Sequence, residues 1–339
     1  MRIGWQHRES FELPTTTIYF SGAMADQIGP FGSRHHAIWR VSANTFLIPA
    51  GERPQILIIR QADLEVLALL RRQTAARILY LIDDDIWSGA TDTNLPLAYR
   101  QRLFRLALGI APILQRADSI YVTASALQER FRHRTELVHP GLFQAPKSLE
   151  HHDGRLLKIV FPGTRSHLKD LEDIAAPVAR FLKQHPDCEL HTFLGRYAPL
   201  QLRLPNAVHH APQDWATYQQ TLRRERFHIG IAPALPTRFN AARSHNKILE
   251  LATFGAAPVY GNGRPFRYMA EAAGAALICG QVEDWFECLS RLYRDRPALR
   301  QIAAANTKLA LQLGDPRDLR SFWQKELGLS SPCNNRVAA

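Results

Sequence analysis

Phe239-Asn240-Ala241-Ala242-Arg243-Ser244-His245-Asn246-Lys247-Ile248-Leu249-Glu250 runs on into Leu251-Ala252-Thr253-Phe254-Gly255-Ala256-Ala257-Pro258-Val259. The apolar run 227–232 before it reads as a strand, and Gly255 as a helix-to-strand turn. Polar groups therefore crowd the N-terminal half of a helix that opens beyond the carboxyl end of a parallel strand. Open α/β sheets bind ligands at such places. Backbone N–H groups and the helix dipole favour phosphate there. Lys247 and Glu250 lie three apart on one helical face, so a cation for phosphate and an acceptor for sugar hydroxyls can point into one cleft. The bland alternative is an exposed helical pair, which contributes only about 0.2–0.5 kcal/mol.

Working outward, the second half of the chain repeats the same alternation. Strands are expected at 157–161, 190–194, 227–231, 257–260 and 275–279, with helices at 171–184, 215–224, 244–254, 265–273 and from Asp284 onward. The first half reads the same way, with strands at 17–20, 55–59, 78–82, 119–122 and 136–138 and helices at 63–73, 97–115 and 126–132. Each strand is short and nearly all apolar, as strands buried on both faces of a parallel sheet are. The stretch 22–51, rich in Gly, His and Ser, fits neither period. The periodicity stops around 140–154, where Pro140, Gly141, Pro146, His151, His152, Asp153 and Gly154 read as a linker. The expectation is α/β: two doubly wound Rossmann-like domains, 1–145 and 155–329, facing each other across a cleft, followed by a disordered tail at 330–339.

The segment from Phe239 resembles the donor site of GT-B glycosyltransferases of the family 4 and family 1 type. Its pattern here is F-N-x-x-R-S-x-x-K-x-x-E followed by G-x-x-P-V. The resemblance implies a GT-B-like architecture and an enzyme that moves a sugar from a nucleoside-diphosphate sugar to an acceptor hydroxyl. Glu250 matches the family glutamate that holds the donor ribose. Ser244, Lys247 and Arg243 then meet the diphosphate. A second segment, Phe161-Pro162-Gly163-Thr164-Arg165-Ser166-His167-Leu168-Lys169-Asp170, joins a strand to a helix. Gly163 permits close backbone approach, Thr164 and Ser166 can donate hydrogen bonds, and Arg165 and Lys169 are cationic. Gly163 and Lys169 match the Gly-containing turn and lysine that many such enzymes carry at the equivalent point.

One departure bears on mechanism. In the E-x7-E form of the donor motif another Glu stands eight residues before the ribose-binding one, and here that position is Ala242. Asn240 is the substitute candidate for a hydrogen bond near the reacting sugar carbon. The motif implies a retaining transferase that needs no metal and no other cofactor, with cationic side chains stabilising the diphosphate leaving group. Two alternatives stand beside it: a nucleotide-sugar epimerase of the same fold, and a catalytically degenerate GT-B-like protein that binds a nucleotide or glycan without turnover.

Asp83-Asp84-Asp85 ends the strand at 78–82. Three adjacent carboxylates repel and require cationic or hydrogen-bonding partners. They are open to three readings. Asp83 or Asp85 can serve as a catalytic base with Asp84 on the acceptor side. A D-x-D metal site of the GT-A kind is a second, although three acids in a row meet that spacing automatically. Helix capping and loop anchoring is the third. His35 and His36, in the Gly-rich stretch, are further acceptor-side candidates.

Composition frames these readings. At 339 residues the chain suits two domains. Its formal charge of +11 sits mainly in the second half: residues 1–150 carry 17 Lys and Arg against 14 Asp and Glu, the remainder 25 against 17. Such a balance favours polyanions or an anionic membrane surface. Arg100, Arg102 and Arg105 beside Phe104, with Arg130, Arg132 and Arg134 beyond, suggest peripheral contact with anionic lipid. No nucleic-acid motif appears. Cys188, Cys279, Cys288 and Cys333 have no metal-ligand spacing and read as reduced thiols. Without a signal-like apolar N-terminus, the expectation is a cytoplasmic protein, at the inner face of the membrane if lipid-bound. The partners expected are a nucleotide sugar and a glycan, lipid-linked or small-molecule acceptor in cell-surface polysaccharide or glycolipid synthesis.

Overall fold

The structure is a computed structural model that describes residues 12–49, 51–62, 64–131, 135–141 and 144–329. It opens with a helical segment: α1 (Pro14–Thr16), a π-turn (Thr17–Ser21) and α2 (Gly22–Met24). A six-stranded sheet follows in sequence order, β1 (Trp39–Ser42), β2 (Thr45–Ile48), β3 (Gln55–Ile59), β4 (Arg77–Ile82), β5 (Ser119–Val122) and β6 (Thr135–Leu137). β1 to β3 are antiparallel neighbours and β3 to β6 are parallel. Between the parallel strands run α3 (Leu64–Arg72), α4 (Ile86–Thr91), α5 (Leu97–Arg116) and α6 (Ser125–Arg130).

Strand alternation divides this sheet into two buried faces. Ile56, Ile58, Ile78, Tyr80 and Ile82 pack with Leu103, Ile110 and Ile113 of α5. Leu57, Ile59, Leu79, Leu81 and Tyr121 face the other way and pack against Phe20 and Met24.

The second sheet is wholly parallel, in the order β12-β11-β10-β7-β8-β9. Its strands are β7 (Leu157–Phe161), β8 (Cys188–Thr192), β9 (Ala207–His209), β10 (Ile229–Ala232), β11 (Ala257–Gly261) and β12 (Leu277–Cys279). Its helices are α7 (Leu168–Asp173), α8 (Ala175–Gln184), α9 (Trp215–Arg224), α10 (Arg238–Ala241), α11 (Asn246–Thr253), α12 (Arg267–Ala272), α13 (Asp284–Arg294) and α14 (Arg296–Leu313). α8 and α13 cover one face, and α11 and α14 the other. The strand order reverses between β7 and β10, so a crevice opens beyond their carboxyl ends. The final helix, α15 (Pro316–Leu327), leaves this sheet. Leu319, Trp323 and Leu327 close the first sheet beside Phe20, and the Trp323 indole N–H donates to Tyr19 O at 2.6 Å.

Four readings are revised. Residues 17–20 form the π-turn rather than a strand. Their β-branched sequence suggests extension, but the sheet face that no crossover helix covers needs an amphipathic lid. The unassigned stretch 22–51 contains the β1–β2 hairpin. The expected helix 171–184 is two helices broken at Ile174, because Pro177 lacks the N–H that would continue the ladder and is tolerated only in a first turn. The expected linker carries a short 3-10 turn, Glu150–Asp153, whose His152 is buried. The expected tail at 330–339, Cys333, Arg132 and Arg134 lie outside the described residues.

Candidate functional site

The crevice beyond β7 and β10 opens toward the first sheet as a cleft of about 420 Å³, within the range of small-molecule sites. Loop 162–167 after β7, the start of α11 and Arg264 line one side. Residues 13–15, Tyr19, Arg60, Asp83, Asp84, Tyr99 and Arg102 line the other.

The second-unit wall begins at Gly163. The loop folds back over the Phe161 ring so closely that a Cβ at Gly163 would meet that ring at 2.2 Å. Only glycine fits without displacing the chain. Beyond it the Thr164 and Ser166 hydroxyls hydrogen-bond each other at 2.9 Å, and the Arg165 guanidinium stacks 4.6 Å over the Tyr197 ring. Lys169 points elsewhere: it is exposed, pairs with Glu172 at 3.3 Å and does not line the cleft.

Lys247 Nζ donates to Pro162 O at 2.6 Å and to the Glu250 carboxylate, so the first turn of α11 is tied to the loop after β7. The second Glu250 oxygen accepts from the Tyr218 hydroxyl. Burial lowers the Lys247 pKa and Glu250 opposes the shift. Burial and the nearby Glu250 charge hold the Tyr218 phenol well above its ordinary range. Ser244 sits at the same corner, its hydroxyl 2.5 Å from that of Tyr19 across the cleft.

The three acids after β4 are each partnered, and two of them share Arg60. Asp83 meets Arg60 Nη1 at 2.5 Å and accepts from the Thr15 hydroxyl; burial raises its pKa against the pull of Arg60. Asp84 lies 2.6 Å from Arg60 and 2.5 Å from Arg243. Burial works to raise its pKa, and Arg243 and Arg60 together outweigh it and hold it low. Asp85 caps α4, accepting from Ser88 N at 3.1 Å and Ser88 Oγ at 2.6 Å, and is not a cleft residue. Arg60 holds two of these acids from a left-handed backbone, φ 61°, which is uncommon for a residue with a side chain.

Other candidates fall away from the cleft. Asn240 is buried, its amide donating to Asp170 Oδ1 at 3.1 Å and Leu235 O at 3.0 Å. His35 and His36 are exposed on their loop. Ala242, where the related motif carries an acid, is buried in the core of the first unit, as is Phe239. Arg243 lines the cleft while bonding Asp84 in the opposite wall.

Sequence reading missed Asp170, Tyr218, Arg60 and Arg264. Asp170 joins three elements, bonding His167 Nδ1 at 2.9 Å, Leu235 N at 2.8 Å and Asn240. Burial drives the His167 pKa down to about 4, so the ring is neutral at neutral pH. Among the described residues no group of three or more His, Cys, Asp or Glu side chains is arranged to hold a metal ion. None of the described helices is long and apolar enough to cross a membrane.

No protein-family model matches the sequence, and no curated protein is significantly similar to it. Solved structures are similar in fold. HepE from Anabaena in complex with UDP-glucose superposes with a TM-score of 0.57 at 13% identity, covering 80% of this chain and 78% of that one. WaaG, a glycosyltransferase involved in lipopolysaccharide biosynthesis, gives 0.54 at 14% identity over 79% and 81%. Sucrose-phosphate synthase from Thermosynechococcus elongatus gives 0.52 at 14% over 78% and 72%. The chain has a GT-B-like fold, two Rossmann-like units facing a cleft.

Proposed function

We propose that this chain is a glycosyltransferase that moves a sugar from a nucleoside-diphosphate sugar to an acceptor hydroxyl. The observation that carries the reading is the Lys247–Glu250 pair at the start of α11, tied to the glycine loop after β7 at the switch point of the sheet. Phosphate is favoured at that corner by loop N–H groups and by cationic side chains. HepE, of the same fold, is known in complex with UDP-glucose. In this reading Glu250 holds the ribose, with Tyr218 fixing the carboxylate. Gly163, Thr164, Arg165 and Ser244 surround the diphosphate, and Lys247 adds charge beside it. Cationic side chains then stabilise the leaving group, the task a metal performs in other transferases. Asp83, on the opposite wall, is the acid best situated to take a proton from an acceptor hydroxyl. By resemblance to the donor motif the transfer retains anomeric configuration.

The acceptor in this reading is carried by lipid, as in the synthesis of surface polysaccharide or glycolipid. α5 supports it: the helix has four arginines and no acid, and exposes Leu97 (61%), Phe104 (58%) and Leu108 (62%). Arg102 and Tyr99 of the same helix line the cleft, so an anionic membrane surface beneath α5 would present a head group to it. In this reading the enzyme works at the inner face of the cytoplasmic membrane.

A thermal-shift panel of UDP, GDP, ADP, dTDP and CMP tests the donor site. One diphosphate at about 100 times its Kd adds roughly 2.7 kcal/mol to stability. Glu250→Ala abolishes the shift. A wild-type protein that no nucleotide stabilises would refute the reading. Conversion of the sugar donor in the absence of any acceptor would identify an epimerase, and binding without transfer or hydrolysis a non-catalytic protein. The anomeric configuration of the product, read by NMR, tests retention.

A further inference from the structure

β11 ends at Gly261, and the chain turns through Asn262 and Gly263 beneath the carboxyl end of β10. A Cβ at Gly263 would lie 2.2 Å from Ala234 O and 2.7 Å from Leu235 O, so this approach requires glycine. The tight turn drives the next residue, Arg264, inward to 2% exposure. Its Nε donates to Ala232 O at 3.3 Å and its Nη2 to Pro233 O at 2.9 Å. Both anchors are backbone carbonyls at the end of β10, beside the switch point, and the side chain lines the cleft.

No carboxylate is in contact with it among the described residues. Arg60, Arg243 and Lys247 each have a carboxylate partner in the cleft wall. Arg264 takes part in no ion pair among the described residues. Burial draws its pKa down to about 10, with Asp170 the largest opposing influence, so it remains a cation at neutral pH. A buried cation whose hydrogen bonds go to carbonyl dipoles, with Asp170 near it but not in contact, is costly unless an anion joins it. Arg165, the other second-unit cleft cation without a carboxylate partner, leans on the Tyr197 ring. The acid on that wall not paired with a cation, Asp214, is engaged as the cap of α9 at 2.8 Å from Thr217 N.

We propose that Arg264 is the inner half of a diphosphate clamp whose outer half is Arg165, and that the clamp selects ligands bearing two adjacent phosphates. The inference rests on the reading of the cleft as a nucleoside-diphosphate site. The two carbonyl anchors fix the guanidinium plane, so its remaining N–H groups are presented as a rigid fork, which phosphate oxygens accept better than a point charge.

Calorimetric titration of the wild type and its variants with UDP, GDP and ADP, and with the matching nucleosides, tests the clamp. Arg264→Gln weakens the diphosphate about tenfold or more while leaving the affinity for the nucleoside unchanged. Arg264→Lys keeps the charge without the fork and weakens the diphosphate about threefold. Glu250→Ala, in contrast, weakens nucleoside and diphosphate alike. Equal diphosphate affinity in wild type and Arg264→Gln would overturn the clamp and leave the donor site standing. A wild type that binds none of the three diphosphates would overturn both. Should Arg264→Gln fail to fold, as read by circular dichroism, unchanged diphosphate binding in Arg264→Lys overturns the clamp, and a threefold loss upholds it.

Discussion

Arg243 Nη1 lies 2.5 Å from Asp84 Oδ1, and this ion pair crosses the cleft from the second unit to the first. Two more bonds cross beside it, from the Trp215 indole N–H to Thr17 Oγ1 at 2.9 Å and between the Tyr19 and Ser244 hydroxyls. Phe239 and Ala242, from the second half of the chain, are buried in the first core. The segment that carries the donor motif is thus also the strap that fixes the two walls of the cleft.

Asp84→Asn leaves the buried Arg243 without its carboxylate, whereas Arg243→Met leaves Asp84 still paired with Arg60. Asp84→Asn therefore lowers unfolding free energy by roughly 3–5 kcal/mol, and Arg243→Met by less. The double variant loses less than the sum of the two. Denaturant titration of the four proteins gives the coupling; additive losses would mean that the pair does not join the walls.

Gly163→Ala puts a methyl group against the buried Phe161 ring. The loop must move or the ring must shift, at a cost of about 1–3 kcal/mol. The movement carries Pro162 O away from Lys247, and nucleotide-induced stabilisation falls with it. Full retention of the thermal shift in this variant would show that the loop takes no part in binding.

Tyr218→Phe removes the hydroxyl that fixes Glu250. The carboxylate keeps its charge and its lysine, so nucleotide affinity falls about tenfold rather than disappearing. Titration calorimetry separates this from the larger loss expected of Glu250→Ala.

Acid pH is expected to destabilise the second unit through its histidines. His151, His152 and His228 cluster with their rings tilted or edge-on to one another, donating to Phe227 O, Gly255 O and His151 O respectively. Burial pushes the His152 pKa down to about 4 and that of His228 to about 3. The unfolded rings protonate first, near their ordinary pKa of about 6.5. Their contribution is therefore fully present above that pH and is lost as pH falls through 6 toward 4. Unfolding free energy measured from pH 7.5 to 5 should fall steadily, and His152→Gln should flatten the slope. A flat wild-type profile would contradict the neutral, buried state of the cluster.

Vesicle sedimentation tests α5. Phe104→Asp with Leu108→Asp should abolish binding to phosphatidylglycerol vesicles without altering nucleotide binding. Replacing Arg100, Arg102 and Arg105 by Gln should remove the preference for anionic over phosphatidylcholine vesicles. A wild type that stays in the supernatant with both vesicle types excludes this docking face.

The second sheet was legible, apart from the short edge strand β9, because most of its apolar runs are followed by a helix of clear 3.6 period and because Lys247 and Glu250 share one face. The lid over the first sheet was not. Thr15-Thr16-Thr17-Ile18-Tyr19-Phe20 has the composition of a strand, and only the bare sheet face opposite makes it helical. Asp170 and Arg264 were hidden for another reason. Each meets its partners across the sheet, from a residue that local periodicity treats as an ordinary polar position. The acid triplet gave a true signal of paired carboxylates, but the identities of Arg60 and Arg243 as partners are long-range. Lys169 shows the converse, a motif-matching lysine that points to solvent.

The return of α15 to the first sheet sets an order on biosynthesis. Leu319, Trp323 and Leu327 finish a core whose other buried members, Ile18 to Val138, emerge from the ribosome some 180 residues or more earlier. The second sheet is complete before its predecessor can be. Until that helix arrives, the amino-terminal lid covers this face of the first sheet alone, and the Phe20 and Tyr121 rings that Trp323 will meet are left as an apolar surface open to chaperones or to aggregation. Cutting the gene between the two sheets should accordingly yield an insoluble amino-terminal piece.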